Sequence, residues 1–297
     1  MSDTESRALS RTQGEILLAA VIIARSTSFL CSKFLMQGID PFNLMAVRFL
    51  LAFFLLAVLF RKQLSHLTPA TALKGFLLGL SFFAVMTAEL FGLRLTDSST
   101  TSFLENTAIV FVPILEAILL RRFPRPIIIA STLVTMVGIG LLTLDNGPIS
   151  WQGGEPLCIL AATLYAIAII LTARLSRKDD PLVLGILQVG TMGVLAFIAT
   201  FLFETPRLPA TGMEWGAVLW LTIVCSGFGF TFQPVAQSYT TAQRASMFCA
   251  LSPVSSAILG VCILGEDMGP RAILGAVLVM GSILIVTLLG KEHPKSE

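Results

Sequence analysis

Charged residues are scarce in this chain of 297 residues. Only 13% of the residues are charged, against roughly 25% in a soluble globular domain, whereas 55% are hydrophobic. The apolar residues form continuous stretches, such as 49–60 and 273–289, and lack the alternation typical of a membrane β-barrel. A soluble enzyme is excluded, because no aqueous fold of this size could bury so many long apolar runs. The composition predicts an all-α integral membrane protein.

Residue patterns that metal and nucleotide sites require are also missing. The two histidines, His66 and His293, lie outside the apolar runs, and none of the five cysteines forms a CxxC pair. There is no Walker A motif to support ATP-driven transport, and no HExxH or Cys/His arrangement to support a membrane-embedded enzyme. The basic residues are scattered in small groups, so nothing favours nucleic-acid binding. We expect no metal, no cofactor and no catalytic residue.

The chain does contain enough apolar sequence for ten membrane spans. Ten helices of about 20 residues would use about 200 residues and leave roughly 100 for loops and tails. Polar tails, 1–13 and 290–297, remain at the two ends. We number the predicted spans 1 to 10 along the chain, at 14–36, 41–60, 71–93, 98–120, 126–144, 154–174, 181–203, 214–237, 242–264 and 270–289.

Loop charge predicts the orientation of these spans. With a cytoplasmic N-terminus, 14 basic residues lie in cytoplasmic segments and only Arg94, Arg207 and Arg271 lie in external loops. Because Lys and Arg favour the cytoplasmic side, we predict that both termini are cytoplasmic. We expect a multi-pass protein of the bacterial inner membrane.

The two halves of the chain resemble each other at an offset of about 140 residues. The segments 126–138 and 270–282 both begin with proline, continue as an apolar run and carry glycine near Val-Met. This similarity predicts two repeats, 14–144 and 153–289. Five spans per repeat is an odd number, so the second repeat must be inverted relative to the first. Inverted repeats usually place the substrate site between them, near the bilayer midplane.

Several motifs carry a resemblance to a known family. The second span opens with Pro41 and carries the pair Arg48-Phe49, and Ala245 to Pro253 is followed by Ile263-Leu-Gly-Glu266. In these features the chain resembles the EamA-like family of the drug/metabolite transporter superfamily, many members of which also have a lysine where Lys33 lies. The resemblance implies ten spans in two inverted repeats, and transport of small metabolites, often amino acids or amphipathic drugs.

Two departures from that family pattern bear on the substrate. Span 1 of many members carries a Trp-Gly pair, whereas this chain has Arg25-Ser26 at the matching place. Span 4 ends in Arg121-Arg122 and lacks the Leu-Gly-Glu of the second half. Arg25 in particular argues against borrowing a substrate from better-known relatives.

Charged residues within the spans are candidate functional residues, because charge at bilayer depth is costly. Structural ion pairing is an alternative role, above all for the two residues that the family also uses, Lys33 and Arg48. The neutral residues Asn106 and Gln233 complete the set of substrate-binding or coupling candidates. The charged candidates are three basic and three acidic residues, all in the first half: Arg25, Lys33, Arg48, Glu89, Glu105 and Glu116. Four of them, Lys33, Arg48, Glu89 and Glu105, are expected at similar depth in the membrane.

These residues favour a secondary transporter that works by alternating access. A cavity with both Arg25 and Glu105 would suit a zwitterion, so we predict an amino acid or a similar polar metabolite. A buried carboxylate can take up a proton when its partner leaves, which makes Glu89 or Glu105 a candidate for proton coupling. Export of amphipathic organic cations is the alternative, and a channel or membrane-embedded enzyme is disfavoured.

Three prolines, Pro113, Pro234 and Pro253, fall inside predicted spans. Each removes a backbone hydrogen bond and should bend its helix, so they are candidate hinges. The expected partners are the small-molecule substrate, the lipid bilayer and protons. The sequence leaves a monomer and a homodimer both open.

Overall fold

The computed structural model describes residues 10–65, 67–96, 98–121, 123–144, 153–259 and 269–289. Most of the predicted tails, Cys262 and the end of predicted span 9 lie outside these residues. The helices are α1 Arg11–Ser26, α2 Ser28–Leu35, α3 Pro41–Leu59, α4 Arg61–Leu64, α5 Pro69–Leu95, α6 Ser98–Asn106, α7 Ala108–Leu120, α8 Pro126–Thr143, α9 Glu155–Leu175, α10 Pro181–Phe203, α11 Gly212–Trp220, a π-helix Leu221–Phe230, α12 Thr231–Gln237, α13 Ala242–Phe248, α14 Leu251–Leu259 and α15 Pro270–Leu289.

These helices match the predicted spans closely. Within the described residues, nine stretches are long and apolar enough to cross a membrane, and they correspond to spans 1–8 and 10. Span 9 consists of α13 and α14, and its described part ends at Leu259. Spans 2, 5, 7 and 10 begin at a proline, whose missing N–H is harmless in the first turn of a helix.

Spans 1 and 4 are each broken into two helices near the middle. At the first break, the hydroxyls of Ser26 and Thr27 donate hydrogen bonds to backbone carbonyls three residues earlier, at 2.7 and 2.8 Å. At the second break, Thr107 and Asn106 make the same kind of bond, three and four residues back. Such side-chain bonds compete with the helical backbone ladder. The sequence carries these polar runs, but we predicted continuous spans.

The interruptions of spans 8 and 9 coincide with prolines. Proline cannot bond to the carbonyl four residues earlier and clashes with it. For Pro234 that residue is Phe230, where the π-helix ends, and for Pro253 it is Cys249, in the gap between α13 and α14. Pro113 lies inside α7, which continues to Leu120. Two of the three candidate hinges therefore adjoin a change of helix geometry, and their motion stays a prediction.

The packing of the spans follows the two-repeat organisation. Three spans pack against their counterparts in the other repeat: span 2 on span 7, span 5 on span 10 and span 4 on span 9. In addition, span 3 packs on span 6, and their counterparts, spans 8 and 1, pack on each other in the same way. Glu204, just after span 7, accepts hydrogen bonds from the backbone N–H groups of Phe42 and Asn43 at the start of span 2. Spans 2 and 7 are therefore antiparallel, as inverted repeats require.

Candidate substrate cavity

A small cavity lined by both charged and apolar residues lies between the two repeats. Its walls come from spans 1, 3 and 4 and from their counterparts in the second repeat, spans 6, 8 and 9. It offers about 40 Å³ to water-sized molecules, enough for a few waters and well below the roughly 300 Å³ of small-molecule pockets. The lining residues are Ile22, Arg25, Ser28, Phe29, Met86, Glu89, Glu105, Asn106, Tyr165, Phe230, Cys249 and Ser252.

Arg25 is the positive charge of this cavity and is held by the second repeat. Its Nη1 donates hydrogen bonds to the hydroxyl of Tyr165, at 3.0 Å, and to Oε1 of Gln233, at 2.5 Å. The guanidinium carbon lies 4.2 Å from the centroid of the Phe230 ring, a favourable cation–π distance. The side chain crosses Gly229, where an added Cβ would lie 2.6 Å from Cγ of Arg25. Four residues of the second repeat thus fix one arginine of the first.

Glu89 and Glu105 form a carboxyl pair in the same cavity. They are only 4% and 8% exposed, and their carboxyl groups are within hydrogen-bonding reach of each other. A hydrogen bond between two carboxyl groups needs a proton on one of them, because an ionised carboxylate only accepts. Among the ion pairs of the described residues, none joins Arg25 to either carboxyl. One cation and one carboxyl pair therefore line the cavity without neutralising each other directly.

Sequence reasoning missed eight lining residues of this site, and three of them lie in the second repeat close to Arg25: Tyr165, Phe230 and Cys249. The hydroxyl of Tyr165 lies 3.4 Å from Sγ of Cys249, which joins Arg25 to span 9. The Tyr165 and Phe230 rings both pack edge-on against Phe82. All three are uncharged residues in apolar runs. The available signal was their position, since each follows a charged or polar candidate of the first half by about 140 residues.

Lys33 and Arg48 do not line the cavity. The ammonium of Lys33 donates to the backbone carbonyls of Leu93 and Thr96, at 2.9 and 3.1 Å. It therefore satisfies carbonyls at the end of α5, a common role for a basic residue at a helix C-terminus. Arg48 is fully buried, and none of its three guanidinium nitrogens has a hydrogen-bond partner. Of the four charges expected at similar depth, the cavity brings together Glu89 and Glu105.

Glu116 lies away from the central cavity. It lines a second, larger cavity of about 740 Å³ at the ends of spans 4 and 6 and the start of span 9. The exposed residues Arg174, Arg177 and Lys178 line the same cavity. In the predicted orientation this cavity faces the cytoplasm.

Two charged residues that we did not select, Glu15 and Arg244, form a buried ion pair. Nη1 of Arg244 lies 2.8 Å from Oε1 of Glu15, and their side chains are 5% and 8% exposed. Arg11 approaches the same carboxylate at 3.4 Å. The loop-charge analysis treats Arg244 only as one of the 14 basic residues of the predicted cytoplasmic segments. The signal that was overlooked is the opposite charge of the two residues, which lie near the predicted cytoplasmic ends of spans 1 and 9.

Comparison with known proteins places these features in a wider group. The model of the EamA-like transporter family matches residues 12–144 and 152–288, one match for each repeat. An uncharacterized transporter from Archaeoglobus fulgidus is 25% identical over 94% of this chain and 87% of its own length. The uncharacterized transporter YetK from Bacillus subtilis is also 25% identical, over 94% and 88%.

Two further comparisons concern a named substrate and the fold. A probable biotin transporter from Pseudomonas aeruginosa is 28% identical over 63% of this chain and 67% of its own length. A solved crystal structure with 19% sequence identity has a TM-score of 0.79 and covers 94% of this chain and 98% of that one. At this identity the likeness shows a shared fold only.

Proposed function

The chain belongs to the EamA-like transporter family, and we propose that it is a secondary transporter of a small zwitterionic metabolite such as an amino acid. One observation carries the choice of substrate. Arg25 and the pair Glu89–Glu105 line the same cavity without forming an ion pair with each other. Each is therefore available to a group of opposite charge on the solute.

Arg25 is oriented to bind a carboxylate. Both of its described hydrogen bonds, to Tyr165 and Gln233, use Nη1. The edge formed by Nε and Nη2 remains for a carboxylate, which arginine binds through two parallel hydrogen bonds. Because Tyr165 and Gln233 are uncharged, they fix the guanidinium without neutralising it.

The carboxyl pair would bind the ammonium group and could couple transport to protons. With one shared proton the pair carries a single negative charge, which matches one ammonium. If a bound ammonium displaced that proton, the solute and the proton would exchange across the membrane. Replacing Glu105 or Glu89 by Gln tests this step, and an unchanged pH dependence of transport in both variants would refute it.

Alternating access is supported by the shape of the site. A cavity of about 40 Å³ cannot hold an amino acid, so the helices must move before the solute binds. The four interrupted spans, 1, 4, 8 and 9, all contribute lining residues next to their interruptions. Broken helices of this kind recur in transporters that rock one repeat against the other. We propose a bacterial inner-membrane location with both termini cytoplasmic, as a monomer or homodimer.

Export of amphipathic organic cations is the second candidate. The carboxyl pair and the rings of Phe29, Tyr165 and Phe230 would suit a cation, but Arg25 would repel it. The relative named as a probable biotin transporter instead suggests a solute with a carboxylate. This supports a role for Arg25 in binding that group.

A ligand panel separates these candidates. Thermal stability of the purified protein should rise with intact amino acids, and not with their decarboxylated amines or N-acetylated forms. The panel should include biotin and hydrophobic monocations such as tetraphenylphosphonium. Stabilisation by the monocations alone would favour the drug-export alternative. Any stabilising solute should then show accelerated exchange in proteoliposomes, which a channel would not produce.

A further inference from the structure

Arg48 is a buried cation that has no hydrogen-bond or ion-pair partner among the described residues. It is 0% exposed, and its Nε, Nη1 and Nη2 atoms all lack hydrogen bonds. Arg25, by contrast, has two hydrogen-bond partners. A buried guanidinium without partners is strongly unfavourable, so a structural role alone does not explain it. The residue is better explained if an anionic group reaches it in another state of the protein.

The ring of Phe230 connects Arg48 to the central cavity. The guanidinium carbon of Arg48 lies 4.4 Å from the centroid of Phe49 and 6.0 Å from that of Phe230. The same Phe230 ring lines the cavity and lies 4.2 Å from the guanidinium carbon of Arg25. A single aromatic side chain therefore contacts both arginines. A change in its rotamer would open a short path between them.

An apolar cluster lies near the start of the helix that carries Arg48. It joins the end of span 1 to the starts of spans 2 and 8, and Leu44 of this cluster is one helical turn before Arg48. Arg48 stands seven residues after Pro41, which is about 10 Å along the helix from its beginning. The cluster consists of Leu35, Ile39, Leu44, Val218, Leu221 and Cys225.

The second repeat has a counterpart to Arg48. Gln188 stands seven residues after Pro181, the first residue of span 7, just as Arg48 follows Pro41. Gln188 is also 0% exposed, and both of its amide atoms lack partners. Because spans 2 and 7 are antiparallel, the two residues lie toward opposite ends of the protein. Arg48 and Gln188 are thus polar groups without hydrogen-bond partners at equivalent positions of the two repeats, one toward each end of the protein.

We infer that Arg48 is a second anion-binding subsite, which receives the carboxylate of the solute when the end of the protein marked by Arg94 opens. In the present state Phe230 separates it from the cavity, and the apolar cluster lies toward the start of its helix. Gln188 is the corresponding neutral polar contact on the path toward the opposite end. The chemistry of the solute rests on the proposed function. The prediction that Arg48 becomes accessible in another state does not, and the tests below use no solute.

Thiol labelling tests whether position 48 becomes accessible. In a background with the five native cysteines replaced by alanine, Arg48→Cys and Gln188→Cys are treated with a membrane-impermeant methanethiosulfonate from each side. The exposed positions Arg94 and Lys178, replaced by cysteine, mark the two ends. We expect Arg48→Cys to react only from the Arg94 side and Gln188→Cys only from the Lys178 side. Absence of reaction at position 48 from the Arg94 side overturns the inference.

Thermal stability provides a second test. Arg48→Met removes a buried charge that has no hydrogen-bond partner, so the melting temperature should rise. Arg25→Met is the matched control, and it should lower the melting temperature because Tyr165 and Gln233 lose their donor. An equal fall in both variants would mean that Arg48 has a structural partner, and would contradict the inference. Arg48→Lys keeps the charge and should leave the melting temperature close to that of the native protein.

Discussion

The two repeats have corresponding helices but contribute different chemistry to the cavity. Spans 1, 3 and 4 supply the charged residues Arg25, Glu89 and Glu105. Spans 6, 8 and 9 supply the uncharged residues Tyr165, Phe230 and Cys249. Each residue of the second set follows its counterpart by about 140 residues, the offset of the repeat. The symmetry of the backbone is therefore not a symmetry of charge.

This difference explains how the cavity can keep its charges available. A carboxylate at the position of Tyr165 would pair with Arg25 and neutralise it. A neutral hydroxyl instead fixes the guanidinium, and its charge remains available for the proposed solute. The first repeat can be regarded as the source of charge, and the second as the source of fixed, neutral partners.

The largest expected effect is a loss of transport when the charge of Arg25, which the second repeat holds in place, is removed. Loss of one partner from a buried, hydrogen-bonded charge pair costs about 2–5 kcal/mol, so Arg25→Gln should lower transport by roughly 100-fold. Arg25→Lys keeps the charge but not the planar fork, and should retain part of the activity. Arg94→Gln is the control, because Arg94 pairs with Asp40 at an exposed site. Exchange in proteoliposomes measures the rates, and a change of less than twofold for Arg25→Gln would contradict the assignment.

The next effect concerns the buried ion pair that joins the repeats. Arg244→Met should lower the free energy of unfolding by about 3 kcal/mol, because Glu15 then keeps only its weaker contact with Arg11. The double variant Glu15→Met/Arg244→Met should recover most of that loss, since the buried carboxylate that lost its partner is gone and Arg11 is exposed to water. Arg11→Gln is the control and should cost less than about 1 kcal/mol. If the double variant were no more stable than Arg244→Met, the pair would not be the cause.

The sequence predicted the regular parts of this molecule and missed contacts between distant residues. Within the described residues, continuous apolar runs and starting prolines placed nine of the ten predicted spans to within a few residues, because each signal is local. Candidates such as Arg25 and Glu105 followed from the cost of charge at membrane depth. The hydrogen bond from Arg25 to Gln233 joins residues 208 apart, and no local pattern encodes it. Lys33 likewise donates to backbone carbonyls at the end of span 3, which come near it only in the packed structure.

A smaller effect is expected where the two repeats meet through small residues. A Cβ added at Gly275 of span 10 would lie 2.5 Å from the carbonyl oxygen of Gly138 in span 5 and 2.9 Å from the backbone nitrogen of Leu142. Because backbone atoms cannot move aside, Gly275→Ala should cost about 1–3 kcal/mol. Gly281 of the same helix has open space at its Cβ position, so Gly281→Ala should be neutral or slightly stabilising. Melting temperatures compare the two variants, and an equal loss in both would argue against this contact.

The smallest effect is expected at a contact that joins the repeats near the surface. Nζ of Lys74 lies 2.6 Å from Oδ2 of Asp179, and the hydroxyl of Thr71 donates to Oδ1 at 3.0 Å. The hydrogen bond from Lys74 lowers the pKa of Asp179. A lowered pKa in the folded state stabilises the fold above the unfolded value of about 4, and this contribution disappears as the pH falls through the folded value.

The same two repeats are thus joined by a buried ion pair, Glu15–Arg244, and by a partly exposed one, Lys74–Asp179. Because water screens the second pair, its coupling should stay below about 1 kcal/mol. A double-mutant cycle with Lys74→Met and Asp179→Asn, measured by unfolding at pH 7 and at pH 3, gives that coupling directly. It should be small at pH 7 and smaller still at pH 3, because protonation of Asp179 removes the charge that Lys74 pairs with. A coupling as large as that of Glu15 with Arg244 would mean that burial does not set the strength of contacts between the repeats.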